Sequence, residues 1–514
     1  MIFANEDLFV AFACRYRRGL CMNAVSQSSP RFLGLSPVVA AILVIASVTL
    51  MRFFYCTWLP IMPDETYYFQ WARHLDASYF SKGPGVAYTI AAGTALWGDN
   101  TFGIRFFAVM LSAGTAWQIF LLGRRWYDET TALIAVLIAG VVPLYAVGAV
   151  VMTIDPLSAF FWVWAANLFS RAIDSNRLLD WLLTGFAVGC GFLAKYLNAL
   201  ELVAFLVFLL LVPERRPLLL KPHFWLMLIV ALLCAMPVWW WNQQHGWASA
   251  VQLGNRGHLH EPFHLSLPTF LSFLGLQAVV ISPLLFLALI VMAIRGFAGR
   301  FWKKTGRENE GELLLLLLFL SVFLFYAVLA LHLKGEPNWP AVSYLTLIIV
   351  LAACWKKALT KPALRYFMAA AFLVAWLETI LLHNPEPLNL PQKLDPLGRA
   401  VGWSEIAAHL DDLRKEQHAD ILIADAYKEA SIFSFHLPDK AFIYTLRHIP
   451  PANQFDFWPT YPREAPHRAL WITGEDSSAA LSKDFNTITP IEHVVVSFHD
   501  RPFREYTIYL CENK

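Results

Sequence analysis

The stretch LPIMPDETYYFQWARHLDASYFSKGPGVAY, residues 59–88, directly follows the apolar segment 36–56. That segment has the length that a helix needs to cross a bilayer, roughly 20 residues. Two adjacent carboxylates, Asp64 and Glu65, stand just beyond it, and Lys82 follows in a turn rich in glycine and proline. The sequence therefore places a group of charged side chains beside a membrane surface.

The composition of the whole chain indicates an integral membrane protein. Of its 514 residues, 57% are hydrophobic and 15% are charged, whereas soluble domains carry roughly 25% charged residues. No basic run is long enough to predict nucleic-acid binding. The seven cysteines form no CxxC pair, which argues against a metal site or a disulfide framework.

Apolar runs of about 20 residues predict a polytopic α-helical membrane protein of about 11–13 transmembrane helices. We place the spans near 36–56, 103–122, 131–150, 154–171, 181–195, 198–212, 224–241, 269–294, 313–331, 340–354 and 366–382. The shorter segment 86–98 is predicted as a re-entrant or interfacial helix. Segment 1–35 is predicted as a cytoplasmic N-terminus that starts at either Met1 or Met22.

The composition changes near His383, so a second domain is expected beyond the membrane domain 36–382. Residues 383–399 form a Pro-rich linker, and residues 400–514 read as a soluble α/β domain. WSEIAAHLDDLRKEQ has a helical period with Ser404 as the N-cap candidate. Five further segments read as strands: ADILIAD, KAFIYTL, RALWITG, EHVVVSF and YTIYLC.

Lysine and arginine mark one set of alternate loops, which predicts that these loops are cytoplasmic. This set includes Arg124, Arg125, Arg215, Arg216, Lys356 and Lys357. The first loop, residues 57–102, then lies on the outer side. An odd number of spans places the C-terminal domain on the outer side as well.

The first outer loop allows a structural and a chemical interpretation. Tyr67, Trp71 and Leu75 have helical spacing, which predicts a helix in the headgroup layer. Asp64 could cap this helix while Glu65 offsets its dipole. Alternatively, a carboxylate could accept a proton from a hydroxyl while Lys82 stabilises a leaving anion.

Further polar groups stand at the outer ends of other predicted spans. Asp155 begins a span, either as an N-cap before Pro156 or as a functional acid, and Lys195 lies between two apolar segments. The remaining groups lie in outer loops: Asn242, His245, Arg256, Lys334, Glu336 and Asn338. Singly, each would be an interfacial residue; together they resemble a site for a sugar beside a lipid phosphate. No zinc, Walker A or GxSxG motif accompanies them.

The segment DETYYFQWARHLDASYFSKGPG resembles the first outer loop of bacterial GT-C membrane glycosyltransferases, which include protein O-mannosyltransferases and the aminoarabinose transferase of lipid A. TIDPLSAFF, FLAKYLNAL, WNQQHGW and EPNWP are similar to further family segments in the same order. The resemblance covers roughly residues 36–382. It implies a polyprenyl-phosphate-linked sugar donor, a hydroxyl acceptor and inversion at the anomeric carbon, at the outer face of the bacterial inner membrane.

The resemblance also implies roles for individual residues. Asp64 matches the catalytic acid that acts as base, and Glu65 completes the catalytic pair. The donor phosphate and sugar are assigned to Lys82, Tyr68, Asp155, Lys195, Arg256 and Lys334. Other substrate contacts are assigned to Asn242, His245, Glu336 and Asn338.

The sequence departs from its relatives in the turn after Lys82. Gly85 stands where relatives have a bulkier apolar residue, and no acidic residue flanks Lys82. We therefore expect no metal and no other cofactor. The sugar and the acceptor (lipid A or core, polysaccharide, or protein) stay open. A transporter or flippase of a lipid-linked glycan and an inactive scaffold are the alternatives; a transporter would be expected to show repeats and midplane charges.

Overall fold

The computed structural model describes residues 34–512 except 259, 260, 263, 297, 299–305, 359, 389, 391–394, 396, 463–467, 475–480, 482, 483, 499 and 500. The two candidate start residues and nearly all of the predicted cytoplasmic N-terminus lie outside the described residues. So does part of the predicted linker. Everything below concerns the described residues.

Every predicted span coincides with a helix or a helix pair. The helices of this part of the chain are α1 (Pro37–Trp58), α2 (Pro63–Arg73), α3 (Gly85–Trp97), α4 (Thr101–Trp126), α5 (Glu129–Val141), α6 (Pro143–Gly148), α7 (Ile154–Ser175), α8 (Leu178–Ala194), α9 (Leu200–Leu211), α10 (Pro222–Gln244), α11 (Ala248–Arg256), α12 (Leu267–Ile281), α13 (Pro283–Arg295), α14 (Arg307–Leu329), α15 (Ala341–Ala358) and α16 (Pro362–His383). Of these, α1, α4, α10, α14 and α16 are each long and apolar enough to cross a membrane, and the pair α12–α13 could form a sixth span. The chain is an α-helical membrane protein.

Two predicted spans are broken at a proline. The segment 131–150 divides into α5 and α6 at Pro143, and the segment 269–294 divides into α12 and α13 at Pro283, where the axes bend by 115°. Proline lacks the N–H that continues a helix, and its ring collides with the preceding turn. The prediction of continuous helices was therefore wrong at these two positions.

The membrane helices pack through large aromatic side chains. Trp126, Trp162 and Trp181 are almost completely buried, and the rings of Phe169 and Phe205 stack with centroids 3.9 Å apart. Burying a large apolar side chain contributes about 1.5–3 kcal/mol in water. In a bilayer such packing instead supplies the close contacts that lipid tails cannot match.

The C-terminal domain is a small α/β unit, as predicted. Two helices, α17 (Trp403–Glu416) and α18 (Tyr427–His436), accompany five strands: β1 (Ile421–Ala424), β2 (Tyr444–Thr445), β3 (Arg468–Thr473), β4 (Thr487–Phe498) and β5 (Arg501–Glu512). The strand order is β2-β1-β3-β5-β4. Strand β1 is parallel to β2 and β3, and β5 is antiparallel to β3 and β4.

One detail of this domain differs from the prediction. The N-cap of α17 is Gly402, which has a φ of 82°, and not Ser404. Gly402 adopts this left-handed conformation readily because it has no Cβ. The chain can therefore turn sharply into the helix two residues earlier than the sequence pattern suggested.

The C-terminal domain packs directly on the loop helix α2. A single apolar cluster contains Phe69 and Trp71 of α2 together with Phe433 and Phe455 of the C-terminal domain. The ring of Phe69 meets that of Phe435 edge-on at 5.6 Å. The first loop and the C-terminal domain therefore lie on the same side of the helical domain.

Candidate active site

Helix α2 presents Asp64 at its exposed N-terminal end. Met62 is the N-cap residue and Pro63 the first helical residue, a position that suits proline because its missing N–H is not needed there. The interpretation of Asp64 as the N-cap was therefore wrong. The Asp64 side chain is exposed, and within the described chain it forms no hydrogen bond or ion pair, so its oxygens are free to bind a substrate.

Glu65, by contrast, is fully buried in an ion pair with Arg105. Its Oε1 accepts from Arg105 Nε at 2.8 Å and from the backbone N–H of Met152 at 2.9 Å. Its Oε2 accepts from the backbone N–H of Met62 at 3.0 Å. Arg105 also donates to the carbonyls of Cys56 and Leu59. These contacts make Glu65 a positioning residue that fixes α2 to the ends of α1 and α4.

Three sequence-predicted residues come together at the N-terminal end of α7. Lys195 Nζ lies 2.9 Å from Asp155 Oδ1, and Asn338 Nδ2 donates to Asp155 Oδ2 at 2.6 Å. Thr153 is the N-cap of α7 and accepts from the backbone N–H of Asp155. The interpretation of Asp155 as the cap was therefore wrong, and both of its oxygens contact predicted site residues.

Lys82, Lys195 and Arg256 form a group of positive charges, here called the cationic cluster. Burial, followed by the charges of Arg256 and Lys195, lowers the pKa of Lys82 to about 8, against the opposite influence of Asp155 and Asp64. The Lys82 ammonium has no hydrogen-bond partner among the described residues. The exposed Arg256 guanidinium lies 5.2 Å from the ring centre of Trp339. Such a cluster suits an oxyanion of a ligand.

Two tyrosines border the carboxylates. Burial and then the negative charges of Asp64 and Asp155 raise the pKa of Tyr68 far above its ordinary value. Tyr68 therefore stays a neutral hydroxyl that can donate a hydrogen bond. Burial and then the charge of Asp64 raise the pKa of Tyr427, a residue of α18, while Arg256 opposes this rise. Sequence reasoning missed Tyr427, because nothing in the segment ADAYKEA distinguishes it from an ordinary surface tyrosine.

The other predicted site residues lie in different surroundings. Asn242 Oδ1 accepts from the backbone N–H of Ser249 at 3.0 Å, which ties α10 to α11. The ring of His245 stacks on Trp241 with centroids 4.1 Å apart. The side chains of Lys334 and Glu336 are exposed and contact no described partner. Within the described ranges, no group of three or more His, Cys, Asp or Glu could hold a metal ion; the metal-free mechanism stays a prediction.

The C-terminal domain holds the first loop, residues 57–102, through specific polar contacts. The hydroxyl of Tyr67 accepts from the backbone N–H of Gln454 at 2.9 Å. The side-chain oxygen of Gln454 accepts from the backbone N–H of Phe80 at 2.7 Å. Gln70 Nε2 donates to Ser434 Oγ at 2.9 Å. All of these groups are buried, so the contacts fix the loop between the two domains.

Comparison with known proteins finds similarity to membrane-embedded sugar transferases. Residues 81–241 match the family model described as dolichyl-phosphate-mannose-protein mannosyltransferase. The chain is 26% identical to the lipid A galacturonosyltransferase RgtD of Rhizobium johnstonii over 368 residues, which are 70% of this chain and 74% of that protein. It is 32% identical to the undecaprenyl phosphate-alpha-4-amino-4-deoxy-L-arabinose arabinosyl transferase of Pseudomonas paraeruginosa over 215 residues, which span 37% of this chain and 36% of that protein.

The fold is also similar to that of a solved structure. The crystal structure of ArnT from Cupriavidus metallidurans bound to undecaprenyl phosphate superimposes with a TM-score of 0.63 at 16% sequence identity. The superposition covers 92% of this chain and 97% of that chain. Both the helical domain and the C-terminal domain therefore take part in the likeness.

Proposed function

We propose that this chain is a GT-C membrane glycosyltransferase, like the proteins that it resembles, and that it transfers a sugar from a polyprenyl-phosphate-linked donor to a hydroxyl group. The relatives' names favour an undecaprenyl carrier and a lipid A-type glycolipid as acceptor. The observation that carries the proposal is an exposed carboxylate, Asp64, on the same face as the cationic cluster. Such an arrangement pairs a proton acceptor with groups that stabilise a leaving phosphate.

In the proposed reaction, Asp64 accepts the proton of the acceptor hydroxyl. The hydroxyl oxygen bonds to the anomeric carbon from the side opposite the phosphate, and the bond between that carbon and the phosphate oxygen breaks. The electron pair of that bond stays on the polyprenyl phosphate, and the sugar inverts its anomeric configuration. Glu65 takes no proton in this scheme and instead holds the helix that carries Asp64.

The cationic cluster would bind the donor phosphate in both the substrate and the product. Lys82 is the best placed member, because its ammonium has no partner among the described residues and is flanked by Arg256 and Lys195. Lys195 is already paired with Asp155, so it would act together with that carboxylate. Tyr68 would donate a hydrogen bond to the sugar or to the phosphate. Lys334, Glu336, Asn242, His245 and Asn338 remain proposals for contacts around the substrates.

We place this site at the outer face of the bacterial inner membrane. Support comes from the opposite end of the helical domain, where basic residues pair with acidic ones. Arg215 contacts both Asp174 and Glu310, and Lys356 contacts Asp128. Loops rich in lysine and arginine remain on the cytoplasmic side, and the candidate active site lies at the other end.

Replacing Asp64 by Asn tests the proposal. The purified protein would be given a synthetic polyprenyl-phosphate sugar and a glycolipid acceptor, and the product would be followed by mass spectrometry. Asp64→Asn keeps the shape of the side chain but cannot accept the proton, so we expect transfer to fall by about 10²–10⁴-fold. Asp99→Asn, an exposed substitution in the same loop, is the control and should leave transfer unchanged.

The outcome distinguishes the proposal from its competitors. An Asp64→Asn protein that is folded and fully active would show that Asp64 is not the base. Failure of the unaltered protein to transfer any polyprenyl-linked sugar would contradict the function itself. The transporter alternative predicts movement of the lipid-linked sugar across a vesicle membrane without any change in its mass.

A further inference from the structure

A second positive site lies deeper in the membrane domain, at Arg52. Arg52 is in α1, one helical turn before Cys56, and only 8% of its surface is exposed. Its Nε is buried without a partner, and no nitrogen of the guanidinium forms a hydrogen bond or ion pair within the described part of the chain. A charged group inside a membrane domain is costly and usually has a partner or a function.

The surroundings of Arg52 contain space as well as charge. Arg52 lines a partly open cavity of about 140 Å³ whose walls are formed by α1, α4, α5, α6, α7 and α15. The polar groups along its wall include Thr49, Ser112, Thr153 and Asp155, and most of the remaining wall is apolar. A cavity of this size exceeds the volume of several water molecules, which occupy about 30 Å³ each in the liquid.

Asp155 connects this cavity to the candidate active site. The same carboxylate that lines the cavity accepts from Lys195 and from Asn338. Asp155 is paired with Lys195, and no ion pair joins it to Arg52 within the described part of the chain. One part of the cavity wall therefore carries the hydrogen-bonded carboxylate of Asp155. Another part carries the Arg52 guanidinium, whose Nε has no hydrogen-bond partner.

An oxyanion supplied by a substrate would satisfy Arg52. A guanidinium offers parallel N–H donors that match a carboxylate or a phosphate in a bidentate arrangement. Both kinds of group are compatible with the proposed function: a carboxylate on the transferred sugar, or a phosphate on the acceptor glycolipid. The mostly apolar wall would exclude water and strengthen the contact.

We infer that the Arg52 cavity is an oxyanion-binding subsite that selects substrates bearing a carboxylate or a phosphate group. This inference rests on the proposed function and adds the substrate class to it. The subsite is distinct from the cationic cluster, which would bind the phosphate that joins the donor sugar to its lipid. Arg52 contacts the substrate but takes no part in proton transfer.

The test compares matched substrates with unaltered protein and with Arg52→Gln. Two donors are compared with the same acceptor: a hexuronic acid and the corresponding neutral hexose, each linked to polyprenyl phosphate. Two glycolipid acceptors, one with and one without a phosphate group, are then compared with the same donor. Transfer is measured as kcat/KM for each substrate, and the ratio within each pair reports the preference for the anionic member.

We expect Arg52→Gln to reduce one of the two ratios at least tenfold. A reduced donor ratio assigns the subsite to the sugar carboxylate, and a reduced acceptor ratio assigns it to the glycolipid phosphate. Arg52→Lys keeps the positive charge but lacks the planar guanidinium, so its preference ratio should lie between those of the unaltered protein and Arg52→Gln. If Arg52→Gln does not fold, Arg52→Lys provides the test. Arg124→Gln removes an exposed arginine with only a surface ion pair and serves as the control.

Two results would overturn the inference. If the unaltered protein is active and both folded Arg52 variants keep both ratios, the cavity does not bind a substrate oxyanion, although the proposed function stands. If the unaltered protein transfers none of these sugars, the proposed function fails and the inference fails with it.

Discussion

At the scale of single residues, the roles follow from which charges are paired and which are not. Asp64 and Lys82 are unpaired among the described residues, whereas Glu65 is fully paired with Arg105. The sequence shows both carboxylates side by side and cannot separate them. The separation arises from Arg105, which stands 40 positions away within an apolar segment where an arginine is itself a signal of function or structure.

The lowered pKa of Lys82 predicts how donor binding depends on pH. The ammonium is charged below its pKa of about 8 and neutral above it. Since only the charged form attracts the donor phosphate, kcat/KM for the donor should fall as the pH rises through about 8. Initial rates at low donor concentration, measured between pH 6 and about 10, would show this fall. The upper limit stays below the ordinary lysine pKa of about 10.4, so that an unperturbed lysine would remain charged over the range.

The neighbours of Lys82 provide the control for this dependence. Arg256 lowers the pKa of Lys82 by repulsion, so Arg256→Gln should move the fall to higher pH while reducing the overall rate. Arg124→Gln should leave the position of the fall unchanged. A fall that stays at the same pH in Arg256→Gln would mean that another group titrates.

At the scale of the elements, the turn after Lys82 depends on the close approach of two backbones. A Cβ added to Gly83 would lie 2.2 Å from the carbonyl oxygen of Leu193, at the end of α8. That end of α8 carries Lys195. Contact at this turn therefore sets the separation of two members of the cationic cluster.

Gly83→Ala should disrupt this arrangement. The added methyl group must displace backbone, so we expect the thermal transition to fall by several degrees, since about 1 kcal/mol shifts the midpoint by roughly 2–4 °C in a domain of 150–250 residues. The KM for the donor should rise as well. Gly275→Ala, in α12, places its Cβ in open space and is the matched control; equal behaviour of the two variants would contradict the packing explanation.

The elements also show what could be predicted from the sequence. Apolar length located a helix or a helix pair at every predicted span, and runs rich in β-branched and aromatic residues located the five strands. The breaks at Pro143 and Pro283 were missed because hydrophobic length does not report backbone direction. The α18 helix was missed as well, since its short segment YKEASIFSFH is too irregular to show a helical period.

At the scale of the whole molecule, the helical domain and the C-terminal domain meet at the first loop. The sequence predicted that both lie on one side, from the charge of the loops and the number of spans. It could not predict that Gln454 would reach Tyr67 and Phe80, because those contacts join residues more than 370 positions apart.

Gln454→Ala should loosen the loop without touching the chemical groups. The substitution leaves the buried backbone N–H of Phe80 without its acceptor, a loss of about 1–3 kcal/mol. We expect a lower kcat with a smaller change in KM, and faster proteolysis of the loop. Gln243→Ala, which alters an exposed glutamine at the end of α10, is the control; equal proteolysis of both variants would argue against a bracing role.

The contact between Gln70 and Ser434 has a consequence for how such proteins can be recombined. A hybrid made by joining the membrane half of one relative to the C-terminal half of another would bring together loop and domain surfaces that were never fitted to each other. A folded and active hybrid should require segment 59–88 and residues 400–514 to come from the same relative, although the two are far apart in the sequence. The two segments should thus be inherited as one unit.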